Sequence, residues 1–346
     1  MAKAVKLSDI AAKIGVSTVT VSKALSGQKG MSDELRDRIV VLADEMGYVK
    51  RVQNKEKEAG KSYNLGVIVA ERYIVEKQSF YWNIYQEISQ RAIKKKCFAM
   101  IEIVDYSQEN DCIMLLSENK VDGIIVMGAF GKKYMNAVKG WTKNFPVLYF
   151  GTTDGDEAGD YVVSNNLYGG YNMTNYLLDR GHKNIGFVGT RLMTPSIDDR
   201  FFGYLKALME RGIKYRADWI IDDRDNIYGK MNYDRQFILP KEVPTAFFCN
   251  CDKAASLIIR KLEEAGYSVP GDVSVVGFDN FEYDQEADIG ITTYEINIGE
   301  MAKRAVHIML HKMQNALYSA GVFSIQGKII ERESVKKIGK SVPYAK

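Results

Sequence analysis

The chain has 346 residues, 46% of them hydrophobic and 26% charged, with a net charge of +3. That length exceeds one ordinary core and suits two or three domains, and the composition excludes a disordered chain. The charge is uneven: residues 1–62 hold twelve Lys or Arg against eight Asp or Glu, about +4, which leaves the remainder near −1. A basic N-terminal segment suits phosphate contact, and an excess this modest points to affinity shared between two copies.

Residues 7–25, LSDIAAKIGVSTVTVSKAL, predict two short helices joined by a tight turn. Leu7, Ile10, Ala11 and Ile14 recur at helical spacing and give the first helix an apolar face. Gly15 supplies the turn, and Ser17 stands where an N-cap belongs. On the second helix Val21 and Leu25 turn inward, as does Val16 before it, while Thr18, Val19, Ser22 and Lys23 face outward. A short, polar and cationic outward set suits a helix lying in the major groove of DNA. A third helix follows, with Ser32 as its cap and Ile39, Leu42, Ala43 and Met46 as its apolar stripe; Gly47 ends it.

Residues 50–62, KRVQNKEKEAGKS, have almost nothing to bury and read as a linker. Beyond them, short apolar runs alternate with amphipathic stretches. The runs are LGVIVA (65–70), FAMIEIV (98–104), GIIVMG (123–128), PVLYF (146–150), NIGFVG (184–189), TAFFCN (245–250) and VSVVGF (273–278). Buried strands alternating with helices predict parallel sheets covered on both faces, and there are too many strands for one sheet. The expected organisation is a helix-turn-helix head (1–49), the linker (50–62) and a two-lobed α/β core (63–346). Lobe one is expected at about 63–163 and 292–320, lobe two at about 164–291 and 321–335. Ligands of such lobes sit at the carboxyl ends of the strands, so two facing lobes would enclose one in a cleft.

Met1-Ala2-Lys3 runs into structured sequence without a leader, and no apolar run approaches the ~18–20 residues that span a bilayer, so the expected setting is cytoplasmic. The cysteines, Cys97, Cys112, Cys249 and Cys251, lack zinc-ligand or redox spacing and are expected as buried free thiols, with Cys249 and Cys251 on one side of a strand.

Several long motifs stand in order: DIAAKIGVSTVTVSKALSG, the pair Gly47-Tyr48, NLYGGYNMTNYLLDRGHKNIGFVG (166–189), DDRFFGYLKAL (198–208), VPGDVSVVGFDN (269–280) and ITT (291–293). On these, the chain resembles the lactose-repressor (LacI/GalR) family over essentially its full length. The resemblance implies a helix-turn-helix DNA-binding head, a hinge, and a periplasmic-binding-protein-like core that forms a homodimer and binds a small effector. It implies that Thr18 and Val19 meet base edges, a hydroxyl and a thymine-methyl contact respectively. Ser22 lies on the same outward face. Lys23 stands where many members carry Arg and gives up the bidentate fork. Ser17 and Ser26 would position phosphates. In the core, Arg200 matches the arginine of the family's R-x-x-G-[YF] motif, which reaches ligand hydroxyls or a carboxylate. Asp279 follows one strand and Asn250 and Asp252 follow another, at ligand-facing ends; Asp252 could equally cap the next helix.

The chain departs from the family in two places. Most members continue Y-x-P-N-x-x-A-x-x-L, a hinge helix whose leucine wedges into the minor groove. Here Tyr48–Lys57 has no proline, alanine or leucine at those places, and lysine replaces the wedge, so weaker bending is expected with Val52 as the one apolar hinge candidate. After PVLYF, where many relatives carry a hydroxyl-accepting aspartate, this chain has Gly151. The loop at 71–85 is rich in aromatics: Tyr73, Phe80, Tyr81 and Trp82 could stack on a sugar face or simply pack the lobe.

Other chemistry finds no support. His307 and His311 are four apart, but no Glu stands between them in the H-E-x-x-H manner, and a surface or dimer-edge role is expected. The acidic loop 154–160 fails as a calcium loop, and neither a phosphate loop nor a G-x-S-x-G elbow is present. No catalytic residue, metal or cofactor is assigned. The expected activity is a sequence-specific repressor of double-stranded operator DNA, controlled by a carbohydrate-like effector. The alternatives are a solute-binding protein or a fused sugar-metabolising enzyme on the same core.

Overall fold

The computed structural model describes residues 5–25, 31–46, 62–74, 79–105, 120–131, 134–136, 138, 140, 145–155, 159–225, 229–281, 288–315 and 317–345. Ser26, Val52, Cys112 and the Gly47-Tyr48 pair lie outside these residues, as does the expected hinge. Contacts divide the chain into two compact units, Met1–Lys61 and Ser62–Lys346.

In the smaller unit three helices, α1 (Leu7–Ile14), α2 (Thr18–Leu25) and α3 (Asp33–Glu45), share one core. Ile10, Ala11, Val21, Ala24, Ile39 and Ala43 are buried at its centre, with Leu7, Ile14, Val16 and Leu25 partly buried around them. Gly15 takes φ 77° and donates its N–H to the Ala11 carbonyl at 3.0 Å, a C-terminal turn that a Cβ would disfavour. Ser17 Oγ accepts the Thr20 N–H at 3.0 Å and Ser32 Oγ the Leu35 N–H at 3.3 Å. Each hydroxyl satisfies a donor that the first helical turn leaves unpaired.

The larger unit holds two parallel sheets. The first comprises β1 (Tyr63–Ala70), β2 (Cys97–Val104), β3 (Gly123–Met127), β4 (Val147–Phe150), β5 (Asp160–Ser164) and β11 (Val322–Ile325), in the order β11-β5-β4-β3-β1-β2. The second comprises β6 (Ile185–Val188), β7 (Ile220–Ile221), β8 (Ala246–Cys249) and β9 (Ser274–Val276), in the order β7-β6-β8-β9. Leu65, Val67, Ile68, Val69 and Ala70 of β1 are each 0% exposed, so both faces of this strand are covered. That is why its sequence is a continuous apolar run instead of an alternating one. Helices α4 (Phe80–Ile93) and α8 (Ile298–Gln314) pack on the first lobe. Helices α5 (Asn166–Asp179), α6 (Pro195–Glu210) and α7 (Asp252–Glu264) belong to the second.

The chain passes between lobes three times. At the first passage Asn165 donates its N–H to the Ile325 carbonyl at 2.9 Å, and its Oδ1 caps α5 by accepting the Tyr168 N–H at 3.3 Å. The other two passages pair with each other as β10 (Thr293–Glu295) and β12 (Lys328–Ile330), an antiparallel ribbon.

The lobe limits expected from sequence need two corrections. The sequence places residues 321–335 in lobe two, yet β11 lies at the edge of the first sheet, parallel to β5. Asp160 holds it there: its Oδ1 accepts the Ala320 and Gly321 N–H groups at 2.6 and 2.7 Å, while its Oδ2 pairs with Lys312. The sequence places residues 292–295 in lobe one, yet Thr292 and Glu295 bridge to Val276 and Asp279 at the edge of the second sheet.

Helices α5 and α6 cross closely because two glycines meet there. A Cβ on Gly203 would lie 2.2 Å from the Leu167 carbonyl oxygen, and one on Gly170 would lie 2.3 Å from that of Arg200. This close crossing sets where Arg200 projects.

Candidate functional site

On α2, Ser17, Thr18, Val19, Ser22 and Lys23 are all exposed, while Val21 and Ala24 are buried against the other helices. Val19 is 61% exposed, a large apolar side chain presented to solvent from a helix of only eight residues. The helix therefore shows one small, mixed face, with a methyl-bearing side chain, hydroxyls and an ammonium side by side. Those are the groups that base edges and phosphates in a major groove accept.

In the larger unit a cavity of about 430 Å³ lies where the two lobes face each other. Lobe one supplies Arg72 and Tyr73 after β1, and Ser79, Phe80 and Tyr81 at the start of α4. Ser79 is the N-cap, its Oγ accepting the Trp82 N–H at 3.0 Å, and this fixes which side of α4 meets the cavity. The rings of Tyr73 and Tyr81 stack at 4.3 Å, and Phe80 meets Phe281 of the other lobe edge-on at 5.9 Å. Gly128 makes room for the stack, since a Cβ there would lie 2.9 Å from Tyr73 and 3.0 Å from Tyr81. Burial raises the Tyr81 phenol far above its ordinary pKa, with Tyr73 and Asp279 adding to the effect, so it remains a neutral donor.

Lobe two supplies Arg200, Arg224, Asn250 and Asp279. Arg200 comes from α6, donates Nε to Asn166 Oδ1 at 3.0 Å, and donates Nη1 to the Asn250 carbonyl. Its guanidinium lies 3.8 Å from the centre of the Phe278 ring and 3.1 Å from Asp279. Asp279 follows β9 in a turn at φ 101°, a conformation that costs a non-glycine residue on the order of 1–3 kcal/mol. Its carboxyl is pushed up to about 6 by burial, against the lowering charges of Arg200 and Arg224. Oδ1 of this 7%-exposed residue is the oxygen that faces Arg200 Nη2.

A second buried network stands behind. Asp223 is 0% exposed and accepts from the Thr190 N–H at 2.9 Å, Arg224 Nη2 at 2.6 Å and Asn250 Nδ2 at 2.8 Å. Burial pushes its carboxyl up, but the Arg224 charge and these hydrogen bonds overcome that and hold it below its ordinary value. Asn250 Nδ2 also donates to the Val188 carbonyl at 3.0 Å, so this side chain joins β6 to the Asp223–Arg224 pair.

Of the residues singled out from sequence, Tyr73, Phe80, Arg200, Asn250 and Asp279 line the cavity together. Trp82 does not: it falls beyond the cap and packs on Tyr85, ring centres 5.4 Å apart. Nor does Asp252, which starts α7 beneath the turn and accepts the Phe281 N–H at 3.0 Å. It holds the loop that presents Asp279, and burial pushes its carboxyl up to about 8, with the Asp279 charge adding. Gly151, which replaces the expected aspartate, takes φ 72° with open space around its Cβ position. β8 ends at Cys249, so Cys251 opens a turn instead of continuing the strand; both thiols, like Cys97, are free and buried. Arg72 and Arg224 were missed. The only signal for Arg224 is the Asp222-Asp223-Arg224 run that follows a two-residue strand.

His307 and His311 sit with ring centres 4.5 Å apart along a groove between α4 and α8, beside Lys94, Lys95 and Arg304. Burial lowers the His307 pKa, and His311, Arg304 and Lys95 lower it further. Among the described residues no group of three His, Cys, Asp or Glu could hold a metal, and no helix is long and apolar enough to cross a membrane.

Two family models match the chain. One, "Bacterial regulatory proteins, lacI family", covers residues 6–50, and the other, "Periplasmic binding protein-like domain", covers residues 174–335. Over 334 residues the chain is 23% identical to the HTH-type transcriptional repressor PurR of Vibrio campbellii, spanning 96% of this chain and 99% of that protein. The lac repressor dimer bound to operator and the anti-inducer ONPF superposes with a TM-score of 0.65 at 21% identity, over 96% of this chain and 100% of that one. A transcriptional regulator CelR–cellobiose complex superposes with a TM-score of 0.66 at 19% identity, over 95% and 99%.

Proposed function

We propose that the chain is a homodimeric repressor of the lacI family, whose model matches residues 6–50, and that its α2 reads operator DNA under control of a sugar-like effector. The observation that carries the DNA half is the exposed face of α2, where Thr18, Val19, Ser22 and Lys23 stand clear of the three-helix core. Val19 offers a methyl contact to thymine, Thr18 a hydroxyl to a base edge, and Lys23 a donor to guanine or phosphate. Ser17 and Ser26 are proposed to position phosphates, and Val52 is the apolar candidate of the hinge. A dimer with two such faces requires an inverted-repeat site, because its two-fold axis must coincide with that of the DNA.

The effector half is supported by the cavity between the lobes. It offers Asp279 to accept hydroxyls, Arg200 to donate to them, and the Tyr73–Tyr81 stack as a flat wall for a ring face. The cellobiose named with a structural neighbour is consistent with a polyol. Effector and operator then change each other's affinity by the same factor, whichever sign that factor has. A gel shift with inverted-repeat duplexes, with and without candidate sugars, tests both halves. Binding to such duplexes that responds to no sugar removes the carbohydrate assignment and leaves the repressor.

A further inference from the structure

We infer that Asn280 couples the cleft to the crossings between the lobes: its side-chain amide bridges Glu295 and Arg332, so a ligand that displaces Asp279 biases the lobe angle through it. This deepens the reading of the cavity between the lobes as the effector site, and rests on it.

The turn after β9 faces two ways. Asp279 lines the cavity, whereas Asn280 beside it is not among the lining residues and turns its amide to the crossing strands. Asn280 Nδ2 donates to Glu295 Oε1 of β10 at 3.0 Å. Arg332, just beyond the end of β12, donates Nη2 to Asn280 Oδ1 at 2.6 Å. One amide thus touches both of the later passages between lobes. The backbone of the turn adds to the joint: the Asp279 N–H meets the Tyr294 carbonyl at 2.8 Å, and the Asn280 N–H meets Thr293 Oγ1 at 3.3 Å.

The far side of the bridge is anchored independently. Glu295 pairs at 3.1 Å with Lys328, the residue opposite it in the antiparallel ribbon. Arg332 donates Nη1 to the Ile291 carbonyl at 2.7 Å and its N–H to Thr292 Oγ1 at 2.9 Å. A shift of the turn therefore reaches two tethered strands instead of two loose side chains.

The residue type fits the task. Asn280 has φ 50°, a left-handed conformation that asparagine and aspartate adopt more readily than other non-glycine residues. Of these two, only asparagine can donate to a carboxylate and accept from a guanidinium together, because an ionised aspartate has no donor. Both bonds are to charged partners, which strengthens them. Lying outside the cavity, Asn280 is a positioning residue, and its loss should lower the coupling between cleft and operator more than the affinity of the cleft itself.

The test uses the full-length protein, an operator duplex selected from a random library, and glucose, ribose and cellobiose as probes. Asn280→Asp keeps the backbone conformation and the Arg332 contact but sets a carboxylate against Glu295. Adding Glu295→Gln supplies a donor to that contact while still accepting from Lys328. The factor by which bound sugar changes operator affinity should fall about fivefold or more in the single variant and recover in the double variant. Sugar binding by the DNA-free protein should persist in both. An unchanged factor, or sugar affinity lost in step with it and not recovered, would overturn the proposal.

If no operator is selected, or no sugar binds or alters its affinity, that failure belongs to the effector reading, and hydrogen exchange without ligand decides on Asn280. Asp279→Asn should change the protection of residues 328–332 when Asn280 is present and leave it unchanged on the Asn280→Asp background. Equal changes on both backgrounds, or no change on either, would overturn the coupling.

Discussion

Arg200 Nη2 lies 3.1 Å from the Asp279 carboxylate, and this ion pair ties helix α6 to the turn after β9 at the cavity wall. Both side chains are only 8% exposed, so neither charge is relieved by water. Arg200 is further held by Asn166 and the Asn250 carbonyl, whereas Asp279 meets it through Oδ1. The pair is asymmetric: the arginine is held by Asn166 and Asn250 as well as by Asp279, and the carboxylate lines the cavity.

Asp279→Asn removes that acceptor charge while keeping the side-chain shape. Effector affinity should fall about 10–100-fold, the worth of a hydrogen bond to a charged group in a buried site. Operator binding in the absence of effector should be retained, giving a repressor that no longer responds. Isothermal titration calorimetry and operator anisotropy measure the two quantities separately.

Gly203→Ala tests the helix crossing that delivers Arg200. The added Cβ would meet the Leu167 carbonyl at 2.2 Å and the Tyr171 nitrogen at 2.6 Å, both backbone atoms that cannot swing aside. Loss of about 1–3 kcal/mol in urea unfolding is expected, together with weaker effector binding. An unchanged midpoint would mean that α5 and α6 are not so closely crossed.

Much of this architecture is legible from the chain. The strands covered on both faces, such as β1 and β3, declare themselves as unbroken apolar runs bounded by polar residues. Arg200 and Asp279 are legible because one belongs to a motif and the other follows a strand. β11 is not: it alternates exposed and half-buried residues at a sheet edge, and what places it is Asp160, more than 150 positions earlier. Arg224 escapes for a similar reason, since β7 has only two residues and gives no periodicity to read. Trp82 looks equivalent to Phe80 in sequence, and only the phase of α4 around Ser79 separates them. Asp252 and Asp279 both follow strands, yet one holds the loop and the other lines the cavity.

Asp252 gives the larger unit a pH dependence of defined sign. Its carboxyl is raised from 3.8 to about 8, burial being the main cause. The folded state therefore holds the proton more tightly than the unfolded one. The resulting stability is fully present below pH 4 and is lost as pH rises toward and through 8. Asp252→Asn should remove this component. The stability difference between the two proteins, followed by chemical unfolding from pH 5 to 9, should shift in the variant's favour as pH rises, by on the order of a few kcal/mol.

Lys23→Gln separates phosphate from base contact. If Lys23 binds phosphate, the slope of log affinity against log salt should fall by about one per half-site, and affinity should drop across all sequences alike. If it reads guanine, one operator position should relax instead.

The hinge sequence, with lysine in place of the leucine wedge, leads to a further expectation for the complex with DNA. Circular-permutation gel shifts should find weak bending at the centre of the operator. A sharp central kink would mean that Val52 or another group takes the wedge's place.

The most direct measurement is selection of duplexes from a random library by the full-length protein, followed by anisotropy on the enriched sequence with candidate sugars added in turn. The account predicts an inverted repeat bound about a thousandfold or more tighter than random duplex at physiological salt, with an affinity that shifts when effector is present. Enrichment of no inverted repeat, or binding that random competitor abolishes equally well, would contradict it.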